Sequence, residues 1–235
     1  MNNTVELLGY YGSDEIIACS AWTSTSRDLN EEKKARIPKL IHQLWSNGHE
    51  TPFEKGMVHF LVDTEIASHI HMLKHRISSM NAESARYKEL KEDKYYIPED
   101  WDGIKVSRPG EVDEFDRLHK GPGEMEWAYV LEEYTKLGNR LYHQCVEDLT
   151  PVLGRKRAKE SARFFKTYNS QIQGDISFNM RSFGNFQKLR NSKHSQIEIR
   201  NVAEDMLNIV KGLEGNPFQH TLEAWKISGI ISSDL

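Results

Sequence analysis

The chain is poor in cysteine, and this scarcity excludes two structural classes. Its only cysteines, Cys19 and Cys145, are far apart and neither belongs to a Cys-x-x-Cys pair. A disulfide framework or a cysteine zinc site therefore has no support in the sequence. The expected setting is reducing and cytoplasmic.

Long apolar runs and an excess of positive charge are also missing. No stretch approaches the roughly 20 apolar residues that span a bilayer, so we expect no membrane partner. The first residues, Met1 to Glu6, lack the basic and apolar segments of a secretory signal. A formal net charge of -4 argues against general nucleic-acid binding. Anion recognition must then come from locally placed arginine and lysine.

Several well-known catalytic motifs are absent as well. The sequence has no Gly-x-Ser-x-Gly elbow, no P-loop and no Gly-x-Gly-x-x-Gly fingerprint. Serine hydrolysis, phosphoryl transfer on a P-loop and a Rossmann dinucleotide site are therefore not indicated. His71 and His75 have the four-residue spacing of two zinc ligands, but the glutamate of a His-Glu-x-x-His motif is missing. A metal-dependent hydrolase stays a distant alternative, and we expect no metal.

The spacing of apolar residues predicts one α+β domain over residues 1–235, with a central sheet flanked by long helices. Residues 88–123 are charged and interrupted by proline and glycine, which predicts an irregular excursion. The remaining chain divides into predicted strands and helices. Strands are predicted over 5–10, 15–19, 57–62 and 172–178, and helices over 30–45, 64–77, 127–141, 155–168, 195–213 and around Leu222 and Trp225. Within 30–45, a helix start at Pro38 is the alternative.

Residues 74–87 have the densest polar chemistry of the chain. Lys74, His75 and Arg76 are consecutive, and hydroxyl and amide side chains follow before Arg86. Arginine and lysine bind phosphate, whereas serine and asparagine hydrogen-bond to amide edges. Three neighbours on a helix point in three directions, so they suit a large ligand at a helix end.

A second cationic cluster lies at residues 179–190, with His194 four positions on. Its asparagine and arginine side chains could bind an amide-edged ring and a phosphate. For any single arginine, a solvated helix face is the better explanation. Arg163 is likewise first interpreted as a surface helix residue.

Taken in order, four segments resemble the flavin-dependent thymidylate synthases. The family signature is Arg-His-Arg, seven residues and Ser, and this chain has Lys74-His75-Arg76, seven residues and Ser84. Residues 48–54, Gly-His-Glu-Thr-Pro-Phe-Glu, are similar to the Gly-His-x-Ser/Thr-Pro-Phe-Glu box. Residues 96–98 are similar to the Tyr-Ile-Pro element, and residues 179–194 to the C-terminal box.

The resemblance implies an α+β homotetramer with active sites at subunit interfaces. It implies reductive methylation of dUMP to dTMP without a cysteine nucleophile. 5,10-Methylenetetrahydrofolate would donate the carbon, and NADPH would reduce the bound FAD. A non-catalytic flavin- or nucleotide-binding homologue is the alternative.

The resemblance also assigns residues by position. Residues expected to bind FAD are His49, Thr51, Lys74, His75, Arg76, Ile77, Ala82, Asn179, Arg181, Asn185 and His194. Of these, Asn179, Arg181 and Asn185 are expected to reach the flavin from another subunit. Residues expected to bind dUMP are His71, Lys74, Glu83, Ser84, Ala85, Arg86, Arg163 and Arg190. Arg190 is expected to act as the catalytic cation beside uracil N3.

Three positions depart from the family pattern. Lys74 replaces the usual first arginine and so offers a point charge instead of a bidentate fork. His71 stands where many members have glutamine. The pair Ala82-Glu83 places the acidic residue one position later than in many members. A Leu-Pro pair that often follows the Arg163 position is absent.

Overall fold

The computed structural model describes residues 2–26, 28–107 and 125–232, and the predicted excursion at 88–123 lies partly outside these ranges. Within these ranges, four strands form one sheet in the order β1-β2-β4-β3. The strands are β1 Thr4–Tyr11, β2 Met57–Glu65, β3 Ser79–Ala82 and β4 Gln171–Asn179. The helices are α1 Asp14–Trp22, α2 Glu31–Ser46, α3 Ile66–Leu73, α4 Trp127–Leu153, α5 Arg155–Ala162, α6 Met180–Arg190, α7 Ile197–Lys211 and α8 Gln219–Ile227. The predicted α+β class is confirmed.

The chain divides into two compact units. The sheet unit comprises Thr4–Val62, Ile70–Asn81 and Gly174–Leu235, and the helical unit comprises Met1–Asn3, Asp63–His69 and Ala82–Gln173. The composition of each unit refers only to the residues that the structure describes. That the two units form one domain stays a prediction.

The sheet unit contains the main hydrophobic core. Phe60 on β2 and Phe178 on β4 pack against Phe183 of α6, with ring centroids 5.8 Å apart in each pair. Trp225 of α8 is fully buried and lies 5.9 Å from the same phenylalanine ring. Burial of these large rings fixes α6 and α8 to the sheet and stabilises the unit.

The helical unit is held by a buried lysine. Lys166, whose side chain is 4% exposed, pairs with Asp93 at 2.7 Å and donates to Asn139 Oδ1 at 2.8 Å. Its ammonium group lies 4.6 Å from the ring centre of Tyr142. Burial lowers the pKa of Lys166, and Asp93 opposes that shift. These contacts attach the segment around residue 93 to α4.

Three of the predicted elements were wrong in type or extent. The helix predicted over 155–168 ends at Ala162 and is followed by a 3₁₀ turn at Arg163–Phe165. Residues 15–19 form part of helix α1 and not a strand, because Ser13 caps the helix by accepting from Ile16 N–H. Helix α3 ends at Leu73, four residues earlier than predicted. Past its end, the amide of His75 donates to the Met72 carbonyl at 3.0 Å. Lys74, His75 and Arg76 therefore lie in the turn after the helix.

Two further elements were not predicted from the sequence. Residues 79–82 form strand β3, and residues 180–190 form helix α6 with Asn179 as its N-cap. No helix in the described part of the chain combines the length and apolar character needed to cross a membrane.

Candidate active site

A cavity of about 710 Å³ lies in the sheet unit and brings both cationic clusters together. Its volume is within the range of ligand-binding cavities. It is lined by residues from α2, from the turn after α3, from α6 and from the turn after α8. The lining residues are Trp45, Ser46, Glu50, Lys74, His75, Arg76, Ile77, Arg181, Ser182, Gly184, Asn185, Lys188, Leu189, Arg190, Ser228 and Ile230.

Arg190, at the C-terminal end of α6, is held by two histidines. Its Nε–H donates to His75 Nε2 at 3.0 Å, and its Nη1 lies 3.1 Å from His71 Nδ1. A guanidinium has only donors, so both imidazole nitrogens must accept. The ring proton of His75 is therefore on Nδ1 and that of His71 on Nε2.

This arrangement leaves the charge of Arg190 uncompensated. Among the described residues, its hydrogen-bond partners are the imidazoles of His75 and His71 and the His71 carbonyl, and none of them is a carboxylate. A cation without a carboxylate partner remains available to an anionic ligand. The two histidines with zinc-ligand spacing therefore both contact the Arg190 guanidinium.

His75 is kept neutral by its surroundings. Burial lowers the pKa of His75 to about 4, and the charge of Arg190 and then His71 add to the effect. The ring packs edge-on against Phe186 of α6, with centroids 4.9 Å apart. A neutral His75 can therefore orient Arg190 throughout the physiological pH range.

The start of α6 is joined to the 3₁₀ turn Thr51–Lys55, so two of the sequence boxes meet. Arg181 pairs with Glu50 at 2.9 Å and with Glu54 at 2.8 Å. The amide of Met180 donates to the Gly56 carbonyl at 2.9 Å. The three side chains of the ion-pair cluster are 33–42% exposed, so the cluster orients Arg181 more than it stabilises the fold.

The predicted flavin residues divide into three groups. Lys74, His75, Arg76, Ile77, Arg181 and Asn185 line the cavity. Asn179 caps α6 by accepting from the Ser182 amide at 2.8 Å, so its Oδ1 is already used. His49, Thr51 and His194 are exposed and do not line the cavity, and Ala82 is an exposed residue at the end of β3. Contribution of Asn179, Arg181 and Asn185 to a neighbouring subunit's flavin stays a prediction.

The predicted dUMP residues of the helical unit mostly pair with other residues of that unit. Glu83 pairs with Lys88 at 2.6 Å and accepts from the Gln173 amide at 3.1 Å. Arg86 pairs with Glu160 at 2.5 Å, and the Ser84 hydroxyl accepts from the Arg86 amide. Ala85 is half-buried and Arg163 is exposed. His71, Lys74 and Arg190 belong to the sheet unit.

Sequence reasoning missed part of the cavity lining. Lys188 follows Arg181 and Asn185 at helical spacing, so the i, i+4, i+7 pattern could have found it. Trp45, Ser228 and Ile230 come from distant segments, and the sequence gives no local signal for them. Five of the described lining residues are cationic and Glu50 is acidic. Cations beside an apolar wall fit a cofactor with flat rings and a pyrophosphate, such as FAD.

Comparison with known proteins identifies the family. Residues 6–213 match the family model for thymidylate synthase complementing protein. A flavin-dependent thymidylate synthase from Pseudothermotoga lettingae is 32% identical over 89% of this chain and 85% of its own length. One from Clostridium tetani is 28% identical over 94% of this chain and 87% of its own length.

A solved structure shows the same fold. The UMP/dUMP methylase PolB from Streptomyces cacaoi, bound with 5-Br dUMP, has a TM-score of 0.74 and 23% identity, covering 98% of this chain and 97% of that one. The chain therefore belongs to the flavin-dependent thymidylate synthase family, as its four ordered motifs indicated.

Proposed function

We propose that this protein converts dUMP to dTMP, with 5,10-methylenetetrahydrofolate as carbon donor and FAD reduced by NADPH. The observation that carries the proposal is the position of Arg190, a guanidinium held by His71 and His75 at a cation-lined cavity. The same cavity contains the residues that the family resemblance assigns to FAD. When bound, FAD supplies the hydride that completes the methyl group.

The protein's own residues bind the phosphate groups of the ligands and stabilise negative charge on the uracil ring. Lys74 and Arg76 provide exposed positive charge for phosphate groups, and Arg181 is oriented by Glu50 and Glu54. Arg190 lies beside uracil N3 in this proposal. A fixed cation there favours the deprotonated ring and stabilises the negative charge that develops during carbon transfer.

His71 and His75 act as positioning residues. Each accepts a hydrogen bond from Arg190, so the guanidinium plane is fixed while its charge stays free. The substitution of histidine for the family's usual glutamine at residue 71 preserves an acceptor for Arg190. The ring Nε2–H of His71 remains as a donor toward a substrate carbonyl.

We further propose a homotetramer, the assembly that the family resemblance implies. Support comes from α4, where Trp127, Leu137 and Leu141 are between 37% and 42% exposed. Apolar side chains exposed along one helix are typical of an interface. Light scattering should give four times the 27.3 kDa chain mass, and a monomer would contradict the assembly.

The function is tested with the purified protein and its flavin. The protein should be yellow, and tritium should be released from 5-tritiated dUMP only when NADPH and methylenetetrahydrofolate are present. Absence of both bound flavin and tritium release after anaerobic reconstitution would refute the proposal. Binding of FAD and dUMP without dTMP formation would select the non-catalytic homologue instead.

A further inference from the structure

One wall of the cavity is built outside the motifs that define the family. Ser228 and Ile230 line the cavity, although the family match ends at residue 213. Trp45, near the end of α2, lies on the same lining and outside the four motifs. These residues are mainly apolar or neutral, whereas Lys74 and Arg76 supply charge from another segment.

The turn after α8 is held rigidly by backbone hydrogen bonds. The Ile230 amide donates to the Trp225 carbonyl at 2.9 Å, and the Gly229 amide to the Lys226 carbonyl at 3.1 Å. Gly229 has φ +68°, a left-handed conformation that glycine adopts at little cost. Ile231 is 6% exposed and packs into the core. The Ile230 side chain is therefore fixed at the cavity.

Trp45 is equally constrained. Its ring lies 5.0 Å from Phe53, nearly perpendicular to it, and 5.7 Å from Trp225. A Cβ placed on Gly184 would come within 3.0 Å of both indole rings. Close packing on several sides keeps an aromatic ring in one orientation. The cavity thus has a preformed apolar wall.

We propose that Trp45 and Ile230 form a binding wall for a planar ring of FAD, and that the turn at residues 228–230 positions the cofactor. This inference rests on the proposed function, since it takes FAD as the ligand of the cavity. A flat ring packs against an indole and a branched aliphatic side chain, while the nearby cations bind its pyrophosphate. The wall adds residues after position 213 to the cofactor site.

The test compares FAD affinity in Ile230→Ala, Trp45→Leu and a matched control. Ile227→Ala is the control, because Ile227 lies at the same helix end, is 75% exposed and does not line the cavity. Flavin-free protein is titrated with FAD by fluorescence, and melting temperatures verify folding. We expect Kd for FAD to rise about tenfold in Ile230→Ala and to stay unchanged in Ile227→Ala.

Titration with FMN distinguishes the two rings of the cofactor. If the wall binds adenine, Ile230→Ala lowers the affinity for FAD and leaves the affinity for FMN unchanged. If it binds the isoalloxazine, affinity for both flavins falls. FAD affinity equal to that of the Ile227→Ala control would overturn the wall, and so would a rise only in KM for methylenetetrahydrofolate. Failure of the unaltered protein to bind FAD would instead overturn the proposed function and this inference with it.

Discussion

The Nε–H of Arg190 donates to Nε2 of His75 at 3.0 Å, so a permanent cation is bound to a neutral imidazole. The two residues come from different segments, the end of α6 and the turn after α3. Their contact explains why a cationic box and a distant arginine occur in the same sequence.

The neutral state of His75 predicts how stability depends on pH. The unfolded chain protonates this imidazole near its ordinary pKa of 6.5, whereas the folded protein does so only at about 4. Between these values the unfolded state binds more protons, so the free energy of unfolding falls as pH falls. His75 contributes no further loss below about pH 4.

Urea unfolding at about pH 7 and about pH 5 measures this effect. His75→Gln should lose less stability between the two conditions than the unaltered protein. His194→Gln replaces an exposed histidine and serves as the control. His69, whose pKa burial also lowers, is present in both variants. An equal loss in His75→Gln and His194→Gln would contradict the account.

Arg190→Ala should reduce kcat by at least about 100-fold, because it removes the charge that stabilises the ring anion. FAD should remain bound, and the pKa of His75 should rise toward 6.5 once the neighbouring cation is gone. Steady-state kinetics and an NMR titration of the imidazole measure the two effects. Arg36→Ala, an exposed arginine of α2 outside the cavity, is the control. Near-normal turnover in Arg190→Ala would remove this residue from its role.

Gly184→Ala tests the packing behind the cavity. Alanine usually stabilises a helix interior relative to glycine by up to about 1 kcal/mol. Here the added Cβ would lie 3.0 Å from the rings of Trp45 and Trp225, so we expect a destabilisation of about 1–3 kcal/mol. Gly9→Ala is the control, since nothing lies within 4 Å of its Cβ. Chemical denaturation measures the free energy of unfolding of both variants. Unchanged stability of Gly184→Ala would show that the two tryptophan rings can shift to accommodate the added methyl group.

Asn179 is expected to have two separable roles. Its Oδ1 caps α6, so Asn179→Ala should cost about 1 kcal/mol of stability. Asn179→Ser retains a capping oxygen but lacks the amide NH2 group that the family resemblance directs at FAD. The serine variant should therefore be nearly as stable as the original and bind FAD more weakly. If both variants bind FAD normally, Asn179 is only a helix cap.

Local sequence patterns predicted much of the secondary structure of the sheet unit. They failed where tertiary contacts determine whether a segment is a helix or a strand. The helical spacing of apolar residues was a sufficient signal for α2, which begins at Glu31 and contains Pro38 in its interior. Residues 15–19 are a short, mostly apolar run that was interpreted as a strand, yet Asp14 accepts from the amides of His220 and Thr221. These contacts with a segment some 200 residues away fix the start of a helix, and no local window contains them.

The candidate site was predictable to the extent that it lies in motifs. Lys74, Arg181 and Arg190 were assigned by position, and the structure places all three on one cavity. The orientation of Arg190 by His71 and His75 depends on where α3 ends. The sequence pattern predicted that end four residues too late. Trp45 and Ile230 reach the cavity only through the packing of α2 and α8.

The measurement that tests the central claim most directly is product formation from dUMP. Protein, FAD, NADPH and methylenetetrahydrofolate labelled in the transferred carbon are incubated without oxygen, and nucleotides are separated by mass. We predict labelled dTMP, with none formed when FAD or NADPH is omitted. Recovery of unchanged dUMP from flavin-loaded protein would contradict the account.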